Sequence, residues 1–424
     1  GVRDFSRSVR TPSRIRRGSK DSRRDRVYRE TVSRTRSRVA LAAVVYAVLL
    51  AQVLLYPGID TLVATLGAGT TLDASMWFLT AEFAAFVVFA VPWGLASDAA
   101  GRRVPFVAAG ALLGALGYLC LALLPTVTES FALALVLRAF QGAATVGAFS
   151  LAMTMLMDLG GSHGRNMGAT GIAIGLGTAT GAPLGGVLYE FGPLVPLYAA
   201  SGVLLLVAVC VPFVVDRAPE GGERQSPFAS LRRTPTLSLP YAFGFVDRMT
   251  AGFFSLVGTL YFRTVFGLSP AATGVTLALF FAPFALLQYP FGVVSDRIGR
   301  TIPVVAGSAL YGVAVVGVGA VADLRVAQAG MVVVGVLGAL MAPATLALVT
   351  DLAAETERGV AMAGFNIAGS LGFLAGIVVG GVAADAYGYG TAFLLVGGLE
   401  LLLAAVTLPA FVRLGVGAAS VDGA

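Results

Sequence analysis

A short charged turn appears twice in this 424-residue chain, each time between long apolar segments. The first copy, Gly94 to Arg103, reads GLASDAAGRR, and the second, Gly292 to Arg300, reads GVVSDRIGR. The two copies lie almost half a chain length apart. A turn that recurs at this spacing predicts a protein built from two similar halves.

The apolar segments themselves predict a membrane protein. Hydrophobic residues make up 57% of the chain and charged residues only 12%, whereas soluble domains carry about 25% charged residues. A helix needs about 20 apolar residues to cross a bilayer, and continuous apolar runs favour helices over a barrel. The predicted spans are 39–62, 74–97, 104–124, 131–157, 167–189, 194–215, 239–262, 271–294, 302–321, 327–350, 360–382 and 390–412. We therefore predict an all-α polytopic membrane protein with twelve transmembrane helices in two pseudo-symmetric six-helix halves.

The segments outside the spans divide the chain. The two halves are predicted at 39–215 and 239–412, joined by a polar, Pro- and Gly-containing cytoplasmic linker at 216–238. Residues 1–38 hold 14 of the 29 lysines and arginines and predict a disordered, basic cytoplasmic tail. That tail either only fixes topology or also contacts anionic lipid head groups. Residues 413–424 form a second, short cytoplasmic tail.

Positive charges alternate between the connections. Besides the N-terminal tail, one side holds Arg102, Arg103, Arg165, Arg217, Arg224, Arg232, Arg233, Arg297, Arg300, Arg358 and Arg413. The other side holds only Arg263 and Arg325. Because positive residues favour the cytoplasmic side, we predict a multi-pass protein of the cell (plasma or inner) membrane with both termini in the cytoplasm.

A second pattern also repeats. Asp158 and Arg165 lie seven residues apart after the fourth span, and Asp351 and Arg358 lie seven apart after the tenth. Each pair precedes a glycine-rich span. The repeated pairs supply a carboxylate within reach of each charged turn, so Arg102 could bind Asp158. Alternatively, these charges merely stop the helices and set topology.

The first turn resembles the loop motif G-x-x-x-D-R-x-G-R-R of the major facilitator superfamily of secondary transporters. This copy has Ala99 where the family usually has arginine, and the second copy ends in Thr301. The resemblance covers about residues 39–412. It implies that the turns latch the outward-facing state and release it during transport. The implied latch residues are Gly94, Asp98, Gly101, Arg102, Asp158, Asp296, Gly299, Arg300 and Asp351.

Two further motifs resemble the family's twelve-span drug/proton antiporter group. Arg138 and Gly142, with Gln141 just before the glycine, match R-x-x-x-G in span four, which implies an arginine that influences a nearby proton site. Span five resembles G-x8-G-x3-G-P-x-x-G-G, with Ala182 at the usual proline position, and this resemblance favours export over uptake. The span-five residues are Gly168, Gly177, Gly181, Pro183, Gly185 and Gly186. Such glycines allow close helix contact, and the proline allows a bend.

Ionisable residues inside spans are costly and mark function by default. The proton-coupling candidates are Asp60, Glu82, Arg138, Asp247 and Arg248. We expect the first three to lie in the outer part of the first half and to form one cluster, although Asp60 could instead cap the extracellular helix end. The adjacent pair lies near mid-depth, and neighbouring residues point about 100° apart, so one would face the cavity.

Other polar or aromatic residues in spans are candidates for a central substrate cavity. They are Tyr46, Gln52, Trp77, Gln141, Phe245, Phe253, Gln288 and Asn366. An aromatic, weakly polar cavity suits amphipathic organic substrates. Glu400 falls in span twelve, which usually lies outside the cavity in this family, so we expect a structural pairing there.

Together these features predict proton-coupled efflux of small amphipathic organic compounds by alternating access. A proton-coupled uptake symporter for a sugar or other metabolite is the first alternative. A non-transporting membrane sensor is the second, and it would require a sizeable cytoplasmic domain. No catalytic dyad, phosphate loop or metal-ligand set is apparent, and His163 is the single histidine. We therefore expect no enzyme activity, cofactor, metal or nucleic-acid partner, but a monomer in the bilayer that handles a small molecule and protons.

Overall fold

The computed structural model describes residues 18–159, 163–216, 231–354 and 357–414. Among these residues, eleven helices are long and apolar enough to cross a membrane. In chain order, and leaving the number α7 for an interrupted helix, they are α1 (Thr35–Thr65), α2 (Leu72–Ala99), α3 (Val104–Thr126), α4 (Phe131–Asp158), α5 (Ala169–Glu190), α6 (Val195–Phe213), α8 (Pro270–Ile298), α9 (Ile302–Ala320), α10 (Leu324–Leu352), α11 (Arg358–Tyr387) and α12 (Tyr389–Arg413).

The twelfth helix, α7, is built from three consecutive segments. They are Ser238–Phe253, a π-helical turn at Phe254–Gly258, and Thr259–Thr264. A π turn inside a helix is frequent at functional sites. With α7 included, the predicted twelve-helix, all-α architecture is confirmed.

One prediction about the N-terminal tail is wrong. A continuous helix begins at Gly18 and runs into the membrane span α1 as far as Val53, so residues 18–38 are helical and not disordered. Neither glycine nor proline occurs between Gly18 and Pro57, and arginine is a good helix former, so the membrane helix continues into the basic segment. Residues 1–17 and 415–424, and most of the predicted linker, lie outside the described residues.

Each charged turn ends a helix at the same end of the bundle. We call this end, with residues 94–103 and 292–300, the motif face, and the other end the opposite face. In both turns a glycine adopts the left-handed conformation, Gly101 with φ +62° and Gly299 with φ +84°. Any side chain is strained there, which explains glycine at both positions.

Glycines bring α5 into direct contact with the α1 backbone. A Cβ added at Gly185 would lie 2.1 Å from the carbonyl oxygen of Leu54, which is less than any real contact allows. Gly181, one turn before Gly185, and Gly177, two turns before it, face α1 in the same way. The span-five motif therefore acts as a packing surface.

The second half repeats this packing. A Cβ at Gly376 of α11 would lie 1.9 Å from the carbonyl oxygen of Met249 on α7.

The remaining span-five residues face the other half, because Gly186 meets the carbonyl oxygen of Pro270 on α8 and the α-carbon of Pro183 faces Gly274. The surroundings of Gly168 lie outside the described side chains.

Contacts between α2 of the first half and α11 of the second occur at the opposite face and reach the middle of the bundle. Met76 of α2 lies against Gly381 of α11, and the rings of Phe83 and Phe373 lie 4.5 Å apart between centroids. Nearer the motif face the same two helices expose apolar side chains, including Val91 of α2 and Ile367 of α11. We therefore describe this conformation as open toward the motif face.

Candidate functional site

An ion pair lies buried inside the first half. Arg138 of α4 donates to Glu82 of α2, and both side chains are fully buried. Gln52 of α1 donates to the second oxygen of Glu82 at 3.2 Å, and Gln141 accepts from Arg138 at 2.6 Å. The Phe78 ring lies 4.7 Å from the guanidinium carbon, within the range of a cation–π interaction. The expected pairing of Glu82 with Arg138 is therefore present, with its charge compensated.

Asp60 does not join this cluster. It binds Arg263 of α7, whose Nη2 lies 2.9 Å and whose Nε lies 3.1 Å from carboxylate oxygens of Asp60. Arg263 also donates to Thr61 at 3.1 Å and to the carbonyl oxygen of Leu268 at 2.7 Å. Because α1 turns through a short 3-10 segment at Tyr56–Gly58 before Asp60, the carboxylate points across to the second half. The contact joins the two halves at the opposite face, and we call it the interhalf pair.

Removing the interhalf pair should open the opposite face. Both side chains are mostly buried, 15% and 18% exposed, so Asp60→Asn should shift the equilibrium between conformations by about 1 kcal/mol, or roughly fivefold. The measurement is the spin-label distance between Val127→Cys and Ala322→Cys, both exposed at that face, after replacement of Cys120 and Cys210.

The charge-reversed double variant Asp60→Arg with Arg263→Asp is the control, and it should restore the wild-type distance distribution. An unchanged distribution in Asp60→Asn would contradict a gating role for the pair.

Asp247 and Arg248 point to different sides of α7, as expected for adjacent residues. Asp247 is buried at 8% exposure, and among the described residues no hydrogen bond reaches its carboxylate. Arg248 is half-buried, and its stem passes Gly369 of α11. Asp247 is thus a poorly compensated acid in the middle of a membrane helix.

At the motif face a different arginine from the predicted one contacts the carboxylates around the first charged turn. Arg103, not Arg102, contacts Asp158 and lies 3.6 Å from Asp98, while Arg102 is exposed. Asp216 secures the same turn, because its carboxylate accepts the backbone N–H of Arg103 at 2.9 Å.

The second charged turn has its own contact between an arginine and a carboxylate of the following helix pair. Arg300 contacts Asp296 at 2.6 Å and Asp351 at 3.1 Å, and it donates to Ser295 at 2.6 Å. In repeat register Arg300 corresponds to Arg102. The two turns use different arginines because their helices end at different points of the repeat. Helix α2 ends at Ala99, whereas α8 ends at Ile298, one residue beyond the position that corresponds to Ala99. The earlier helix end places the following arginine, Arg103, against Asp158.

The two arginines of the first turn should therefore respond differently to substitution. Arg103→Gln should lower stability by about 1 kcal/mol, because it removes a buried cation from two carboxylates, Asp98 and Asp158, that water can still solvate. Arg102→Gln should stay within about 0.5 kcal/mol of the wild type. The measurement is the thermal unfolding midpoint of each purified variant. Equal midpoints would rule out the contact between Arg103 and Asp158.

The cavity candidates divide by burial. Gln52, Gln141 and Phe253 are buried, so the prediction that they line a cavity is wrong. The first two belong to the Glu82 network, and Phe253 packs on Phe393 at 4.8 Å. A helix that is apolar on every side does not reveal which face is buried.

The other candidates are partly exposed. Tyr46 bonds Thr180 of α5 at 3.2 Å, and Gln288 lies beside Gly171. Phe245 and Asn366 are half-buried, and Trp77 is 50% exposed near the opposite face.

An aromatic cluster at mid-depth escaped the sequence analysis. Phe83 and Phe86 of α2, Phe149 of α4 and Phe373 of α11 lie 4.5–6.2 Å apart between successive ring centroids. All four are half-buried, and they lie where the halves begin to separate. The spacing of Phe83 and Phe86, on one helix face at i, i+3, is the sequence signal that could have indicated them.

Comparisons with known proteins agree with this architecture. A profile of the Major Facilitator Superfamily matches residues 41–264 and 241–419. The chain is similar to an uncharacterized MFS-type transporter of Methanocaldococcus jannaschii, with 30% identity over 38% of this chain and 42% of that protein. It is also similar to the inner membrane transport protein YajR of Escherichia coli, with 32% identity over 35% and 33%. The matched stretches thus span less than half of these relatives.

Solved structures share the fold. A bacterial homologue of the human lysosomal transporter Spinster matches with a TM-score of 0.72 and 15% identity, over 90% of this chain and 96% of that one. The human organic anion transporter MFSD10 matches with a TM-score of 0.65 and 21% identity, over 88% and 99%. The family profile covers nearly all the described helices in two halves. The chain is a multi-pass membrane protein and belongs to the Major Facilitator Superfamily.

Proposed function

We propose that the protein is a proton-coupled exporter of small amphipathic organic compounds. The observation that carries this proposal is Asp247, a buried carboxyl in the middle of α7 that has no hydrogen-bonding partner among the described residues. Apolar burial disfavours a charged carboxylate. A proton that neutralises Asp247 would therefore change the energy of this conformation, and such a change is what couples a proton gradient to movement.

Glu82 is the weaker coupling candidate in this proposal. Its charge is balanced by Arg138, and Gln52 satisfies its second oxygen. Adding a proton to the Glu82 carboxylate requires breaking its ion pair with Arg138. We assign this pair to holding α2 against α4, and we assign proton coupling to Asp247.

The substrate path begins at the motif face in this conformation. The half-buried rings of Phe83, Phe86 and Phe373 offer apolar contact area, while Gln288 and Asn366 offer polar groups. Such a lining suits amphipathic molecules. Alternating access follows if the interhalf pair breaks while the latches at the motif face rearrange.

The motif face is the cytoplasmic face in this proposal, so both termini are cytoplasmic and the protein acts as a monomer. The excess of arginine at that face supports it. The name of YajR, an inner membrane transport protein, supports placement in the cell membrane. Export is supported by the glycine pattern of α5, which resembles that of drug/proton antiporters.

Flux measurements on purified protein in liposomes test the proposal. Amphipathic compounds of both charge signs are first screened by thermal shift, and the hits enter counterflow. Liposomes are then loaded with a hit and placed in acidic medium, with a pH-sensitive dye inside. We expect the compound to leave while the interior acidifies. Movement of compound and protons in the same direction would establish the symport alternative instead.

A further inference from the structure

A second buried acid, Glu400 of α12, lies within the core of the second half. Its side chain is fully buried. Ser308 of α9 donates a short hydrogen bond to one carboxyl oxygen, and Thr250 of α7 lies 3.5 Å from the other. Among the described residues no arginine, lysine or histidine forms an ion pair with it. The expected structural pairing of Glu400 is therefore with hydroxyl groups and not with a cation.

Asp247 faces the same region. It lies one turn before Thr250 on α7, so the two side chains share a helix face. Electrostatic interaction links Asp247 with Glu400, and Tyr311 of α9 interacts with both acids. Arg248 is the positive group that acts on Asp247, although it points to another side of the helix.

Among the described residues, the helices packed around α12 place no basic side chain against Glu400. The ionisable groups facing Glu400 are Asp247 of α7 and Tyr311 of α9. On α11 the charged residues Arg358 and Asp385 lie at the two ends of the helix. Glu400 thus has an acidic neighbour in Asp247, while Arg248 of α7 acts on Asp247.

Two carboxylates that share an apolar site cannot both remain ionised at low cost. Burying even one unpaired charge costs several kcal/mol, and proteins avoid this cost by keeping the group neutral. A hydroxyl can donate to a carboxylate or accept from a protonated carboxyl. Ser308 and Thr250 can therefore serve Glu400 in either state.

We propose that Asp247 and Glu400 form one buried acid pair that holds a single proton while the protein is open toward the motif face. Asp247 retains some exposure and is the member that exchanges the proton with water. Glu400 is the inner member, where the proton is stored between two hydroxyl groups. The role of the pair in coupling rests on the proposed function, whereas its occupation by a proton does not.

The test compares the wild type with Glu400→Gln in detergent. Glutamine has the shape of a protonated glutamate and can keep both hydroxyl contacts. The readouts are the infrared carbonyl band of a protonated carboxylic acid and the number of protons bound during a pH step. We expect the wild type to show this band near neutral pH. We expect Glu400→Gln to lose it and to bind one proton fewer, whereas Glu190→Gln, at an exposed helix end, should change neither.

A second variant covers the case in which Glu400→Gln does not fold. Asp247→Asn removes the acidic neighbour, so the pH at which the carboxylic band of Glu400 disappears should move by about one pH unit or more. A band that persists in Glu400→Gln, or that ignores Asp247→Asn, would overturn the pair. Transport of a screened compound in liposomes separates the two proposals. If Glu400→Gln loses the band but the wild type shows no proton-driven flux, the acid pair is supported and its role in coupling is rejected.

Discussion

Replacing Asp247 with asparagine is expected to abolish proton-driven transport. Asparagine is nearly isosteric with aspartate but cannot carry a proton. The variant therefore can neither take up a proton from water nor pass one to Glu400. In liposomes loaded with a compound that the wild type exports, an acidic exterior should no longer accelerate efflux, and the interior should no longer acidify. We expect a loss of at least about tenfold, since one lost coupling of 1.4 kcal/mol already gives tenfold.

A matched control separates this effect from general damage. Asp385→Asn makes the same chemical change at an exposed site on α11, so it should transport like the wild type. Folding of both variants is checked by elution profile and thermal midpoint. If Asp247→Asn folds and still couples efflux to the proton gradient, the assignment to Asp247 is wrong.

Replacing Arg138 with methionine is expected to cause the largest loss of stability. The change leaves Glu82 without its cation in a site that is fully buried. Removing one partner of a buried pair costs about 3–5 kcal/mol. Dye-free thermal unfolding of the purified protein should show a strongly lowered midpoint or no folded protein at all.

A double variant distinguishes the lost charge pair from lost packing. Glu82→Leu combined with Arg138→Met removes both charges, and replacing a buried pair by apolar residues of similar volume is often neutral. We expect the double variant to recover most of the stability lost by Arg138→Met. If the double variant is as unstable as the single one, the destabilisation comes from packing around Arg138 and not from an unpaired Glu82.

The architecture could be predicted because its determinants are local. Twelve apolar segments, the repeated turns and the glycine spacing of α5 are each visible in a short stretch of sequence. Each dictates a local outcome, such as a span, a helix end or a close contact. A carboxylate near each charged turn also followed, because Asp158 and Asp351 lie at helix ends on the same face as the turns.

The finer parts of the site depend on three-dimensional arrangement. Asp60 and Arg263 lie about 200 residues apart, and their contact depends on how the halves close at the opposite face. The choice of Arg103 over Arg102 depends on whether α2 ends one residue earlier or later. Helix ends are the least certain feature of a sequence pattern.

The direction in which buried side chains point could not be predicted from the sequence either. Gln52 and Gln141 are polar residues in apolar helices, and polarity alone suggested a wet cavity. They instead satisfy Glu82 and Arg138 inside the first half. Glu400 finds hydroxyl partners on α7 and α9, which no spacing within α12 could reveal.

The most direct test of the account measures both faces of the transporter at different pH values. Spin labels on Ala100→Cys and Arg297→Cys report the motif face, and those on Val127→Cys and Ala322→Cys report the opposite face, in a background without Cys120 and Cys210. The conformation described here buries the two acids with no ion-pair partner among the described residues, so protons should favour it. On acidification we predict a longer distance across the motif face and a shorter one across the opposite face, with neither change in Asp247→Asn. Distances that ignore pH, or that change in the same direction at both faces, would contradict proton-biased alternating access.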